Sequence, residues 1–208
     1  MRIITTNRLE REGIPVNRKL PEIRIKTNRT SKEVAIRLNI LGIFLAISDD
    51  SSSIVFFRKL LQEQEMYKFL TDTEKRILEN GHLTKQEEID LSWNQESMYA
   101  LSWCLGIVSE MAEPIFEADL DNIFKFLPPE VDLDVFLEKS KLVNAQIILQ
   151  ELDYYYNLHW AIRHPESWSF MKIKKMKKYK MSIVRERRKG LEWVHNSELI
   201  WDDISLDT

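Results

Sequence analysis

Three threonine–glutamate pairs constrain this chain more than anything else in it. Thr30 with Glu33, Thr71 with Glu74 and Thr84 with Glu87 each have the spacing of a capping box, in which hydroxyl and carboxylate each satisfy a backbone N–H at a helix start. Three helix starts are therefore expected. With five glycines and six prolines in 208 residues, the chain is also poor in the turn-formers that an all-β fold needs. The expectation is all-α: a single multi-helix domain over 30–208, preceded by an extended N-terminal arm over 1–29 and closed by a docked C-terminal tail.

The arm is inferred from Gly13 and from Ile14-Pro15 and Leu20-Pro21, since a residue before proline is pushed toward extended backbone. From Thr30 the periodicity predicts a helix with Val34, Leu38, Leu41 and Leu45 inward, broken by Asp49 to Ser53. Further helices are predicted over 54–69, 72–80, 84–109, 119–127, 132–138, 141–164 and 182–195. Gly81 suits a left-handed stop, and Pro114, Pro128-Pro129 and Pro165 mark other breaks. Residues 170–181 place Phe170, Ile173, Met176 and Tyr179 three apart among lysines, a spacing that suits neither an ideal helix nor a strand, so they are read as loop.

Composition narrows the function classes. Hydrophobic residues at 44% and charged residues at 30% fit a soluble globular protein. The most apolar run, Leu38 to Ile47, is too short to span a bilayer, and the N-terminus lacks the apolar region of a signal peptide. The single Cys104 excludes an intramolecular disulfide framework and a multi-cysteine zinc site. A cytoplasmic protein without a membrane partner is expected. The net charge of −3 hides a split: residues 172–189 carry ten basic residues and one acid (+9), leaving 20 basic and 32 acidic elsewhere (−12).

Helical placement then tests which polar groups fall on apolar faces. Glu96 falls between the directions of Trp103 and Ile107; His159 and Arg163 share a face with Leu152 and Tyr156, with Asp153 at its edge. In the last helix Arg187 sits among Ile183, Val184, Gly190, Leu191 and Val194, while Arg185, Arg188 and Glu192 point away. Unpaired buried charges are costly, so Glu96, Asp153, His159, Arg163 and Arg187 are expected to form one network. Such a network would be structural, locking helices in register, or catalytic, with Glu96 or Asp153 as general base, His159 as acid and an arginine holding an anion.

Other candidates carry less. His82, His159, His164 and His195 have no metal-ligand spacing, so no metal and no cofactor are expected. In the tail, Trp201 should dock in a groove, with Asp202 and Asp203 solvated or answering nearby arginines; with Asp207 they would otherwise make a cation cluster. Cys104 reads as core packing. Lys174, Lys175, Lys177 and Lys178, with Trp168, Phe170 and Tyr179 for stacking, would serve a nucleic-acid surface, although the acidic remainder opposes a polyanion. An interaction or scaffold domain, which would take a protein partner, is therefore placed first. A small-molecule enzyme or ligand-binding domain on Glu96, His159 and Arg187 comes second, and nucleic-acid binding through 172–189 third.

The stretches Trp93-Asn94-Gln95-Glu96-Ser97-Met98-Tyr99-Ala100-Leu101-Ser102-Trp103, Leu152-Asp153-Tyr154-Tyr155-Tyr156-Asn157-Leu158-His159-Trp160-Ala161 and Val184-Arg185-Glu186-Arg187-Arg188, with Leu191-Glu192-Trp193 and the ending Trp201-Asp202-Asp203, resemble the family called domain of unknown function 4272. The resemblance runs from about residue 8 onward. It implies a mainly helical, bacterial cytosolic domain and carries no assigned reaction, substrate or partner. The family pattern has arginine where this chain has Asn94 and Asn157; a family site using those arginines for an anion would hold it less well here.

Overall fold

In the computed structural model, which describes residues 2–207, the helices run α1 (Arg2–Glu12), α2 (Ser31–Asp49), α3 (Ile54–Glu63), α4 (Asp72–Asn80), α5 (Lys85–Ser92), α6 (Asn94–Cys104), α7 (Asp121–Phe124), α8 (Leu133–Lys139), α9 (Ala145–Arg163), α10 (Phe170–Met176) and α11 (Met181–His195). Short 3₁₀ turns lie at Ser51–Ser53, Tyr67–Phe69, Pro165–Ser167 and Trp201–Asp203, and no strand occurs among the described residues. The fold is an all-α single domain. All three capping boxes form, at the starts of α2, α4 and α5, and Gly81 ends α4 in the left-handed region at φ 71°.

Helix α2 is buried on opposite sides because two cores share it. Val34, Ala35, Leu38, Leu41 and Leu45 enter the larger core with α6, α9 and α11, whereas Ile36, Ile40, Ile43, Phe44 and Ile47 face a second core with α3 and α4. The buried Arg37 guanidinium joins α2 to α4 through Glu74, whose other oxygen closes the Thr71 capping box. Helix α11 packs on both α6 and α9, and α1 packs on α9. The α6–α11 contact is close at Gly190, where a Cβ would lie 3.2 Å from Ala100 Cβ and 3.3 Å from the Ser97 carbonyl oxygen. Ser97 Oγ donates across the same contact to the Glu186 carbonyl oxygen at 3.0 Å.

The structure corrects several expectations. Residues 2–12 of the arm are helix: α1 buries Thr5 and Leu9 and is stitched to α9 by Arg2–Asp153, Arg8–Glu151 and the Tyr154 hydroxyl on Glu12. Its stabilising partners lie some 140 residues away, with Tyr154 and Glu12 separated by 142 positions, so local pattern does not announce it. Only the later part of the arm is extended, running beside the end of α11 with Arg29 N–H on the Val194 carbonyl (2.9 Å) and Ser197 N–H on the Thr27 carbonyl (2.9 Å). The helix expected over 84–109 is two helices meeting at Trp93, and it stops at Cys104, where Gly106 turns the chain at φ 70°. Residues 170–176, read as loop, form α10, which with the turn after it brings Met176 and Tyr179 into the core.

Candidate functional site

Of the expected network, one pair forms as proposed. Glu96, on α6, accepts from Arg187 Nε at 2.8 Å and, with its other oxygen, from the Ala118 N–H at 2.7 Å. Arg187, on α11, also donates from Nη1 to the Ala112 carbonyl (2.6 Å) and the Tyr155 hydroxyl (3.3 Å), and lies over the Tyr99 ring at 4.5 Å. Tyr99 in turn bonds the same loop, its hydroxyl accepting from the Ala112 N–H at 3.0 Å. The pair thus joins α6, α9, α11 and a loop over 105–120 without regular helix, whose backbone polar groups need such partners. Glu96 is 0% and Arg187 1% exposed.

The other expected members go elsewhere. Asp153 is fully buried and is answered by Arg2 Nη2 at 3.0 Å; that guanidinium also holds the Leu20 and Pro21 carbonyls. Asn157 donates to the Asp153 carboxylate at 3.3 Å and its backbone carbonyl at 2.7 Å. His159 meets Arg188, not Glu96 or Arg187. Arg163, expected on the inward face, is half-exposed at the end of α9, 3.8 Å from Asp207. The single network is therefore three clusters, because α1 and the tail supply partners that helical placement within one segment cannot reveal.

Arg188, expected to point to solvent, is 3% exposed. Leu206 and Tyr156 cover it: Nη1 donates to the Leu206 carbonyl at 3.2 Å, the guanidinium lies 4.7 Å over the Tyr156 ring, and Nε and Nη2 reach Glu192 at 3.3 and 3.1 Å. Burial lowers its pKa, against the pull of Glu192. Arg188 Nη1 also donates to His159 Nδ1 at 2.8 Å. A guanidinium only donates, so Nδ1 is the accepting nitrogen and the neutral ring carries its proton on Nε2. Burial first, then Arg188, Arg163 and Arg185, pushes the imidazole down to about 4.

His159 Nε2 makes no hydrogen bond among the described residues, yet it is not an enclosed atom. The ring lines a cleft of about 320 Å³ with Arg163, Met181, Arg185, Leu206 and Asp207. Among the described residues Arg185 has only a 3.8 Å contact to Glu186, so both rim arginines hold their acids loosely. A second, more apolar cleft of about 280 Å³ lies under the tail, where Trp201 is buried edge-on against Trp193 at 5.4 Å. Arg37 and Lys189 lie over the Trp201 ring at 5.0 and 4.9 Å, so the tail docks as expected, with Asp202 and Asp203 exposed.

Over residues 2–204 the chain matches the family model described as "Domain of unknown function (DUF4272)". The chain belongs to that family. No curated protein and no solved structure matches it. The DUF4272 match spans α1 to the docked Trp201 and includes the Arg2–Asp153, Glu96–Arg187 and His159–Arg188 pairs, while Leu206 and Asp207 lie beyond it. At the two positions where arginine was expected from the resemblance, this DUF4272 member has a half-buried Asn94 opening α6 and Asn157 against Asp153, whose cation comes from Arg2 instead.

The remaining candidates separate by exposure. Lys174, Lys175, Lys177 and Lys178 are exposed, but Lys178 is paired with Glu113 at 2.8 Å and neighbouring Lys180 with Glu117 at 3.3 Å. Cys104 is buried and its thiol is pushed far up by burial, as core packing requires. Among the described residues no three His, Cys, Asp or Glu side chains gather as metal ligands, and no helix is long and apolar enough to cross a membrane. Arg2, Arg8 and Arg188 escaped sequence reasoning; the signal that finds Arg188 is the tail, which must cover part of α11 once Trp201 docks.

Proposed function

We propose that this DUF4272 domain is a cytoplasmic binding domain that does no covalent chemistry, and that its Glu96–Arg187 pair is structural. One observation carries the reading: the two carboxylates suited to general-base work, Glu96 and Asp153, are each 0% exposed and engaged by arginine. A general base needs hydrogen-bond reach to a substrate proton, directly or through one water. Neither carboxylate is placed for that. His159 borders a cleft, but its neighbours there are cations and the tail, without a buried acid to act with it. A cytoplasmic setting suits a lone, free cysteine. Support for binding comes from that cleft and from apolar side chains held at the surface, such as Val55 and Phe56 of α3, each 64% exposed.

The test is to incubate the purified full chain with a bacterial metabolite extract and follow every component by mass spectrometry. The expected result is that no component is consumed beyond the protein-free control. Consumption of a metabolite by wild type that disappears in folded Glu96→Gln would overturn the proposal.

A further inference from the structure

We infer that the cleft between the end of α9 and the start of α11 is a binding site for the phosphate group of a small soluble molecule, held by Arg163, Arg185 and the Nε2–H of His159. This rests on the reading of the domain as a binder and names what it binds. The side chains that offer polar contacts at the cleft, Asp207 apart, are donors. His159 is 3% exposed, its Nδ1 is committed to Arg188, and its remaining N–H has no protein acceptor among the described residues. An N–H on a 3% exposed ring that opens to the cleft, beside two arginines whose partners lie 3.8 Å away, is a preformed half of an anion site.

The geometry favours phosphate over carboxylate. Donors arrive from two turns of α9 and from α11, which suits three oxygens spread around one centre; a carboxylate offers two. Met181, the first residue of the 15-residue α11, also lines the cleft, and Lys180 before it makes no side-chain cap, so the positive end of that helix adds to the same field. A volume of about 320 Å³ exceeds one phosphate, leaving room for the group that bears it. Asp207, 3.8 Å from Arg163, is the acid that an incoming phosphate must displace. Glu192 is held by Arg188, and Glu186 is a loose neighbour of Arg185.

The probe is inorganic pyrophosphate, titrated calorimetrically into the full chain at constant ionic strength, with acetate as control. Pyrophosphate is expected to bind and acetate to bind far more weakly. Arg163→Gln combined with Arg185→Gln should weaken pyrophosphate by about a hundredfold, roughly tenfold per charged contact. These arginine side chains are 43% and 63% exposed, so the double variant should melt with the wild type. Asp207→Asn should tighten binding several-fold, and the His159 imidazole, followed by NMR, should titrate higher with pyrophosphate bound. Vesicles of phosphatidylcholine with and without phosphatidic acid separate the sources: arginine-dependent capture by the acidic vesicles would assign the phosphate to a lipid headgroup and overturn the soluble assignment. Absence of pyrophosphate binding, or an affinity unmoved by both sets of substitutions, would overturn the site while leaving the non-catalytic reading intact. Hydrolysis of pyrophosphate would instead overturn that reading.

Discussion

His159 meets the same obstacle to protonation from several sides: it is buried, and Arg188, Arg163 and Arg185 all disfavour a second positive charge. Its pKa falls from the ordinary 6.5 to about 4 on folding, so the unfolded chain binds the proton more readily. Stability from this residue is therefore complete above 6.5, declines as pH falls through the interval, and is lost below about 4. Unfolding measured against pH should give wild type a steeper acid loss than His159→Gln, by up to about 3 kcal/mol across that window. Parallel curves for the two proteins would count against it. At this scale the sequence was legible where one helix held the whole answer: Glu96, Arg187 and His159 are buried as their helical positions demand. Arg188 was not, because its cover, Leu206 and Tyr156, comes from the tail and from another helix.

Among the elements, α2, α4 and α5 were legible from their capping boxes, where both partners sit within four residues. Helix α1 was not: Leu9 is its one fully buried large apolar residue, and its ionic partners lie on α9. Helix α10 has only seven residues, too few for a three-residue spacing to drift off one face, which is why a pattern unsuited to a long helix still makes a short one. The α6–α11 contact makes a sharper claim. Gly190 lies on the apolar side of α11 and lets it approach the Ser97 backbone, which cannot move aside like a side chain. Gly190→Val should cost about 1–3 kcal/mol by overpacking, read as a lower denaturation midpoint with an unchanged slope. A midpoint equal to wild type would mean that α11 does not lie this close.

The whole molecule is one helical body with its charges sorted by role. Arg2–Asp153 and Arg8–Glu151 attach α1, Arg37–Glu74 joins α2 to α4 beside the second core, Glu96–Arg187 pins the 105–120 loop, and the cations around His159 are left facing an opening. That division was not legible beforehand, since helical periodicity says which side chains turn inward but not which helices meet. Denaturant unfolding of Glu96→Gln, with pyrophosphate affinity measured on the same folded protein, tests it most directly. Removing the charge leaves Arg187 buried without its counter-ion, and the predicted result is a loss of about 3–5 kcal/mol with affinity unchanged. Stability within about 0.5 kcal/mol of wild type together with loss of binding would contradict the account, because Glu96 would then belong to the site and not to the frame that holds it.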